Sequence, residues 1–333
     1  MIGFRSKSTF VPSRDIPSLS GRVIIITGAN NGLGYETMVQ LAQHSPQRIY
    51  LCARNRAKFD DALARLTALV PAATSFVRYL ELDLSSLAAV KAAAEEFLRQ
   101  ESRLDILFNN AGIMAGDPAL TADGYEIRFG TNYMGHALFT KLLLSLLRQT
   151  AAQTGSDVRI INISSDGYRT APKPTGFVPE TCTTDMATYS VWMRYGQSKL
   201  ANILFARELA ARYPEILSVS LHPGPVNTGM VEAFAKNYPT AAFFLRPLWN
   251  LVAVDAACGA YNQLWAAVSP IKGKAKGISG NAATMPEVEN GAYYTPVGKL
   301  THPEHFAAAT AANKDLSRKL WEWTETEFEK KGY

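Results

Sequence analysis

Between Val23 and Gly34 the chain reads V-I-I-I-T-G-A-N-N-G-L-G, an apolar run set directly against three glycines, Gly28, Gly32 and Gly34. An apolar run without polar alternation is the pattern of a strand buried on both faces of a parallel sheet. Glycines straight after it let the backbone turn sharply, approach a diphosphate closely and open a helix whose free N–H groups face that anion. Met38, Val39, Leu41 and Ala42 then recur at helical spacing. Strand, glycine turn and helix in this order confine the chain to an α/β nucleotide-binding architecture beginning near residue 20. The spacing is T-G-x-x-x-G-x-G, not the commoner G-x-G-x-x-G.

The alternation continues. Strands are expected at 23–27, 48–52, 77–82, 104–109, 158–163 and 217–222, with a weaker pattern at 292–296. Amphipathic helices are expected at 32–44, 56–69, 85–99, 123–148 and 196–212, with Pro71 closing the second and Ser85 capping the third. The expected fold class is therefore α/β: a single doubly wound Rossmann-type parallel sheet of about seven strands, helices on both faces, and a C-terminal helical extension. Residues 1–20 read as an N-terminal arm and 21–333 as one catalytic domain. Within that domain, 166–190 is an inserted loop holding the Pro-rich T-A-P-K-P-T-G-F-V-P-E, 228–268 opens on a mixture of short helical pattern and aromatic residues, and 270–333 is an extension closed by W-E-W-T-E-T-E-F.

Sheets of this kind bind ligands at the carboxyl ends of their strands. Those ends carry Thr27-Gly28, Cys52-Ala53-Arg54, Asp83, Asn109-Asn110-Ala111-Gly112, Ser164-Ser165 and Pro223-Gly224. An acid after the second strand would bind the ribose of NAD, but Arg54 stands there, with Lys58 one helical turn later. A guanidinium fork matches a phosphate that an acid would repel, so the cofactor expected is NADP(H), held through its 2′-phosphate. Asp83 has two readings, acceptor for the adenine amino group or cap for the following helix.

Tyr195 and Lys199 lie in Y-G-Q-S-K, four residues apart and so on one helix face, about 5–6 Å apart at Cβ. A carbonyl that receives hydride must also receive a proton, which a phenol of pKa near 10 can give. A neighbouring ammonium and a cationic nicotinamide would favour the phenolate, and bringing that pKa to about 7 needs roughly 4 kcal/mol. Ser165 can hold the substrate oxygen beside Tyr195, with Ser164 as its rival because adjacent strand residues face opposite ways. His136 reads as a packed helix histidine.

On these residues the chain resembles the short-chain dehydrogenase/reductase family. The matching motifs are T-G-A-N-N-G-L-G, N-N-A-G at 109–112, S-S at 164–165, Y-G-Q-S-K and H-P-G-P-V-N-T at 222–228, and they span about residues 20 to 235. Cys52 to Arg54 and K-L-A-N-I-L-F-A-R-E-L are most similar to the retinol dehydrogenase and WW-domain oxidoreductase branch, and to fungal biosynthetic reductases of that type. The resemblance implies a Ser165–Tyr195–Lys199 triad completed by Asn132, which would bend its helix and anchor a proton-relay water. It implies a cofactor cradle of Gly28, Asn30, Asn31, Gly32, Leu33 and Gly34. Asn109 and Ala111 would line the adenosine side, and Pro223, Val226 and Thr228 the nicotinamide side. Homodimers or tetramers form in the family through the helices of Asn132 and Lys199, a contact the long C-terminus could block. The thirty-residue interval from Ser165 to Tyr195 exceeds that of shorter members, and no membrane anchor of the retinol dehydrogenase kind begins the sequence.

The net charge of +5 has no tight basic patch beyond Lys272, Lys274 and Lys276 among glycines, so nucleic acid is not an expected partner. Three scattered cysteines and no apolar leader fit a reduced, cytoplasmic setting. The resemblance places a substrate lid at 228–268, where Met230, Phe234, Tyr238, Phe243, Phe244, Leu245 and Trp249 lie; with Tyr189 and Trp192 they suggest an apolar, medium-to-large ketone or alcohol as substrate. A noncatalytic NADP(H)-binding protein and a reductase of carbon–carbon double bonds are the alternatives. Arg54→Asp should weaken NADPH binding, as read by cofactor fluorescence; unchanged affinity would refute the 2′-phosphate assignment.

Overall fold

The computed structural model describes residues 10–227, 229–240, 252–273, 285–301 and 314–333. Eight strands form one sheet in the order β3-β2-β1-β4-β5-β6-β7-β8. They are β1 Val23–Thr27, β2 Arg48–Ala53, β3 Val77–Glu81, β4 Ile106–Asn109, β5 Arg159–Ile163, β6 Leu217–Leu221, β7 Tyr293–Thr295 and β8 Lys299–Leu300. All neighbours are parallel except β7 and β8, a short antiparallel return that the sequence pattern did not announce. Every residue of β1 is buried because helices cover both faces. Val23 and Ile25 enter one apolar cluster, while Ile24 and Ile26 enter the other, as the two-residue period of a strand requires.

Among the described residues, the longer helices are α1 Gly32–Ala42, α2 Arg56–Leu69, α3 Leu87–Gln100, α4 Gly135–Ala151, α5 Val191–Arg212, α6 Gly229–Asn237, α7 Tyr261–Val268 and α8 Lys314–Lys330. Three depart from expectation. Ser86, not Ser85, caps α3 by accepting from Ala89 N. The fourth helical stretch begins only at Ile127, where buried Glu126 accepts from Arg128 N and Phe129 N, and it widens to a π turn at Gly130–Met134 before α4. Helix α5 starts five residues before Gly196, capped by Ser190, whose hydroxyl accepts from Met193 N.

In the N-terminal arm, Phe10, Ile16 and Leu19 are buried in the sheet's second cluster. The 166–190 insertion is likewise packed, with Tyr168, Phe177, Cys182 and Met186 buried. Within the expected lid, α6 is present, 241–251 and Thr228 lie outside the described residues, and α7 is a core helix with Leu264 and Trp265 buried. Among the described residues, no helix is long and apolar enough to cross a membrane.

Helix α8 lies across α4 and α5. Trp321 stacks on Phe205 and Trp323 meets Phe129 and Phe177 edge-on, at 5.8, 5.9 and 5.5 Å between ring centres. Tyr133 shares a 2.7 Å hydrogen bond with Thr324, and Lys141 pairs with Glu325. The chain thus covers with its own segment part of the surface through which the resemblance would pair subunits. Leu320, fully buried on α8, fixes this contact. Leu320→Ala should cost about 2–4 kcal/mol of stability in urea unfolding; a loss below about 0.5 kcal/mol would show that α8 is not part of the core.

Candidate active site

The turn after β1 needs its glycines for its own packing as well as for a ligand. Gly28 and Gly32 have φ of +68° and +53°, where a side chain is strained. A Cβ on Gly34 would stand 2.6 Å from both Asn110 Nδ2 and the Gly28 carbonyl. Asn31 precedes α1 without a side-chain cap, so the first N–H groups of α1 have no partner from it. Asn30 gives its carbonyl to Arg65, and Leu33 lies against Gly259. Arg54 and Lys58 are exposed, Arg54 just past Cys52, whose carbonyl accepts from Gly28 N.

Thr27 is the hub of this rim and was not singled out from the sequence. Its hydroxyl oxygen accepts from Asn110 N and Ala111 N, both at 2.9 Å, and pairs with His136 Nε2 at 2.8 Å. His136 Nδ1 lies 2.9 Å from the Asn132 carbonyl, which can only accept, so Nδ1 carries the hydrogen. Burial lowers the His136 pKa to about 4, leaving Nε2 to accept from Thr27. His136 is packed as expected, and it also ties the glycine turn to the π turn.

Four expected site residues converge. Tyr195 is buried with its ring against Gly167, where a Cβ would lie 2.9 Å from the ring and 3.3 Å from Ser165 Oγ, so the two side chains meet at one point. Ser164 turns the other way and donates to the Lys199 carbonyl at 2.7 Å. Lys199 Nζ lies 5.7 Å from the centre of the Tyr195 ring and donates to the Ile163 carbonyl at 2.9 Å. Asn132, inside the π turn, accepts from Ile113 N at 2.8 Å and donates to the Ile113 carbonyl and Ser198 Oγ, both at 2.9 Å. A Cβ on Gly112 would stand 3.3 Å from both Asn132 Oδ1 and Lys199 Nζ, so glycine there keeps the asparagine and the ammonium together.

The electrostatics differ from expectation. Burial pushes the Tyr195 hydroxyl up to about 12, with only the Ser165 hydrogen bond acting downward. Burial also lowers Lys199 to about 8. Desolvation, which disfavours the charged form of each, is the largest cause of both shifts.

Other expected positions are employed elsewhere. Asp83 Oδ1 accepts from the backbone and hydroxyl of Ser85 at 2.9 and 2.6 Å, closing a turn ahead of α3. Asn109 donates through Nδ2 to Thr140 and Asn162, within the sheet. Ala111 contacts Gly28, whose added Cβ would sit 3.0 Å from the Ala111 Cβ. Pro223 is half-buried at the end of β6, while Val226 packs into the space beside Gly259. Tyr238 donates to the Gly116 carbonyl, Trp192 is exposed, and the side chains of Met230 and Phe234 and all of 243–249 lie outside the described residues.

The model of the short chain dehydrogenase family matches residues 22–174. An uncharacterized oxidoreductase of Schizosaccharomyces pombe is 36% identical over 92% of this chain and 87% of its own. Short-chain dehydrogenase/reductase drtF of Aspergillus calidoustus is 34% identical over 95% and 96%. Among solved structures, a protein of Mycobacterium paratuberculosis superposes with a TM-score of 0.67 at 26% identity, covering 96% of this chain and 97% of its own. An NADPH-bound carbonyl reductase from chicken fatty liver shares the fold with a TM-score of 0.56 at 23% identity, covering 84% and 98%. With relatives above 30% identity along nearly the whole length and the ordered motifs in one rim, the chain belongs to the short-chain dehydrogenase/reductase family.

Proposed function

We propose that the protein is an NADPH-dependent reductase that converts a carbonyl of an apolar, medium-to-large substrate to an alcohol, with Tyr195 as general acid. The observation that carries this reading is that the Tyr195 ring and Ser165 Oγ flank Gly167, 2.9 and 3.3 Å from where its Cβ would stand, with Lys199 Nζ 5.7 Å from the centre of that ring. The cradle fits a dinucleotide: Gly28, Gly32 and Gly34 keep the turn open, and the start of α1 faces it without a side-chain cap. Arg54 and Lys58 would hold the 2′-phosphate, and Pro223, Val226 and Thr228 the nicotinamide end. Bound NADPH supplies the hydride. Carbonyl reductase activity and NADPH binding by proteins of the same fold support the assignment.

Ser165 orients the carbonyl oxygen toward the phenol. Because burial keeps Tyr195 protonated at neutral pH, its hydroxyl can donate as negative charge grows on that oxygen. The Lys199 ammonium stabilises the phenolate left behind, and Asn132 fixes Ile113 and Gly112 against that ammonium. Removing the phenol oxygen should remove the step. Tyr195→Phe should lower kcat for ketone reduction by about 100-fold or more, with NADPH affinity unchanged; wild-type turnover by this variant would refute the assignment.

Lys199 gives a second test. A base whose pKa is lowered loses its proton as pH rises through the lowered value, here about 8. Reductive kcat/KM at saturating NADPH should be level below that pH and fall above it. A profile that stays flat well past the lysine pKa would contradict the role of the ammonium.

A further inference from the structure

Arg194 stands one residue before Tyr195 and is buried, with only 4% of its surface exposed. Among the described residues, its Nε and Nη1 have no hydrogen-bond partner. The charged and titratable groups around it are Arg128, Glu126, Tyr238 and Asp185. Glu126 is already engaged: Oε1 accepts from Arg128 Nη1, and Oε2 from the backbone N–H groups of Arg128 and Phe129. Arg128 is completed by the Met114 and Gly116 carbonyls. Tyr238 donates its hydroxyl to Gly116, and Asp185 is exposed and accepts from Ala187 N. Two buried guanidiniums therefore share one carboxylate, and Arg194 is the one left over. An unpaired buried cation is costly to keep in a folded chain unless something else meets it.

Its position does not favour stability either. Arg194 lies in the first turn of the 22-residue α5, where the helix dipole repels a cation. It sits one turn before Ser198, the residue bonded to Asn132, just as Arg128 sits one turn before Asn132 on the neighbouring helix. The loop from Ile113 to Gly116 runs from Asn132 to Arg128 and Tyr238, and Tyr238 directly follows α6. Arg194 is thus at the upper edge of the site, between the loop past Gly112 and the start of the expected lid.

We propose that Arg194 is a substrate-binding residue that takes an anionic oxygen, a carboxylate or an ionised phenol, carried by the carbonyl substrate at a distance from the reacting group. The inference rests on the placement of the carbonyl at Tyr195, and it narrows the substrate class from apolar to apolar with one acidic group. A guanidinium with free N–H groups in a dry site binds such an oxygen through charge-assisted hydrogen bonds.

The test is calorimetric titration of the NADP+-loaded protein near neutral pH with paired ligands. The pairs are 3- and 4-acetylbenzoate against their methyl esters, and 4-hydroxy-3-nitroacetophenone against its methyl ether. At least one ionised ligand should bind about tenfold more tightly than its neutral partner. The preference should disappear in Arg194→Gln and survive in part in Arg194→Lys, and the pair that shows it identifies carboxylate or phenolate. Equal or weaker binding of every ionised ligand by the wild-type protein would overturn the proposal without recourse to any variant, as would a preference that persists in Arg194→Gln. Binding is read separately from turnover. Selective binding without ketone reduction would overturn the reductase reading and leave Arg194 as an anion site, whereas reduction without selectivity would do the reverse.

Discussion

The arrangement of the site depends on the side-chain amide of Asn132. It closes a two-way hydrogen bond with the backbone of Ile113 and reaches Ser198 on α5 with its remaining hydrogen. Leaving either Ile113 group unpaired in that buried place would cost on the order of 1–3 kcal/mol, so the three segments are held in register. The π turn makes this possible by widening the helix at Gly130–Met134, just where Asn132 must face sideways. One turn later His136 links the Asn132 carbonyl to Thr27, and Thr27 holds the amides of Asn110 and Ala111. The glycine turn, the β4 loop and the helix of Tyr195 and Lys199 are parts of one hydrogen-bonded unit.

Burial sets the chemistry of that unit. It raises Tyr195 and lowers Lys199, so both drift toward their uncharged forms. A neutral phenol is the form that can donate a proton, and an ammonium that titrates near 8 gives the site a pH limit. The same dryness makes the unmatched Arg194 informative, since a cation so placed is in want of a counter-charge.

Much of this was legible in the sequence where one physical rule acted alone. The run at β1 was found to the residue because continuous burial leaves only apolar side chains. The Tyr195–Lys199 pair was legible because helical spacing fixes which residues share a face. Boundaries were missed where side chains compete for the same backbone: Asp83 takes Ser85, so Ser86 becomes the cap of α3. A strand-end asparagine can turn to the rim or inward, and the amide hydrogens of Asn109 go inward to Thr140 and Asn162. The choice between Ser164 and Ser165 needed the direction of the strand end, which only the fold supplies. The resemblance implied a bend at Asn132 but not its form as a π turn, a change of helix pitch, and Arg194 left no pattern because it is defined by partners missing among the described residues.

The central claim, that the Asn132 joint holds the proton-donating site together, is tested most directly by the turnover of Asn132→Ala measured on folded protein at saturating NADPH. The account predicts a fall in kcat of about 100-fold or more, because the loop bearing Gly112 and the helix bearing Lys199 lose their common anchor. A kcat equal to that of the wild-type protein would contradict it.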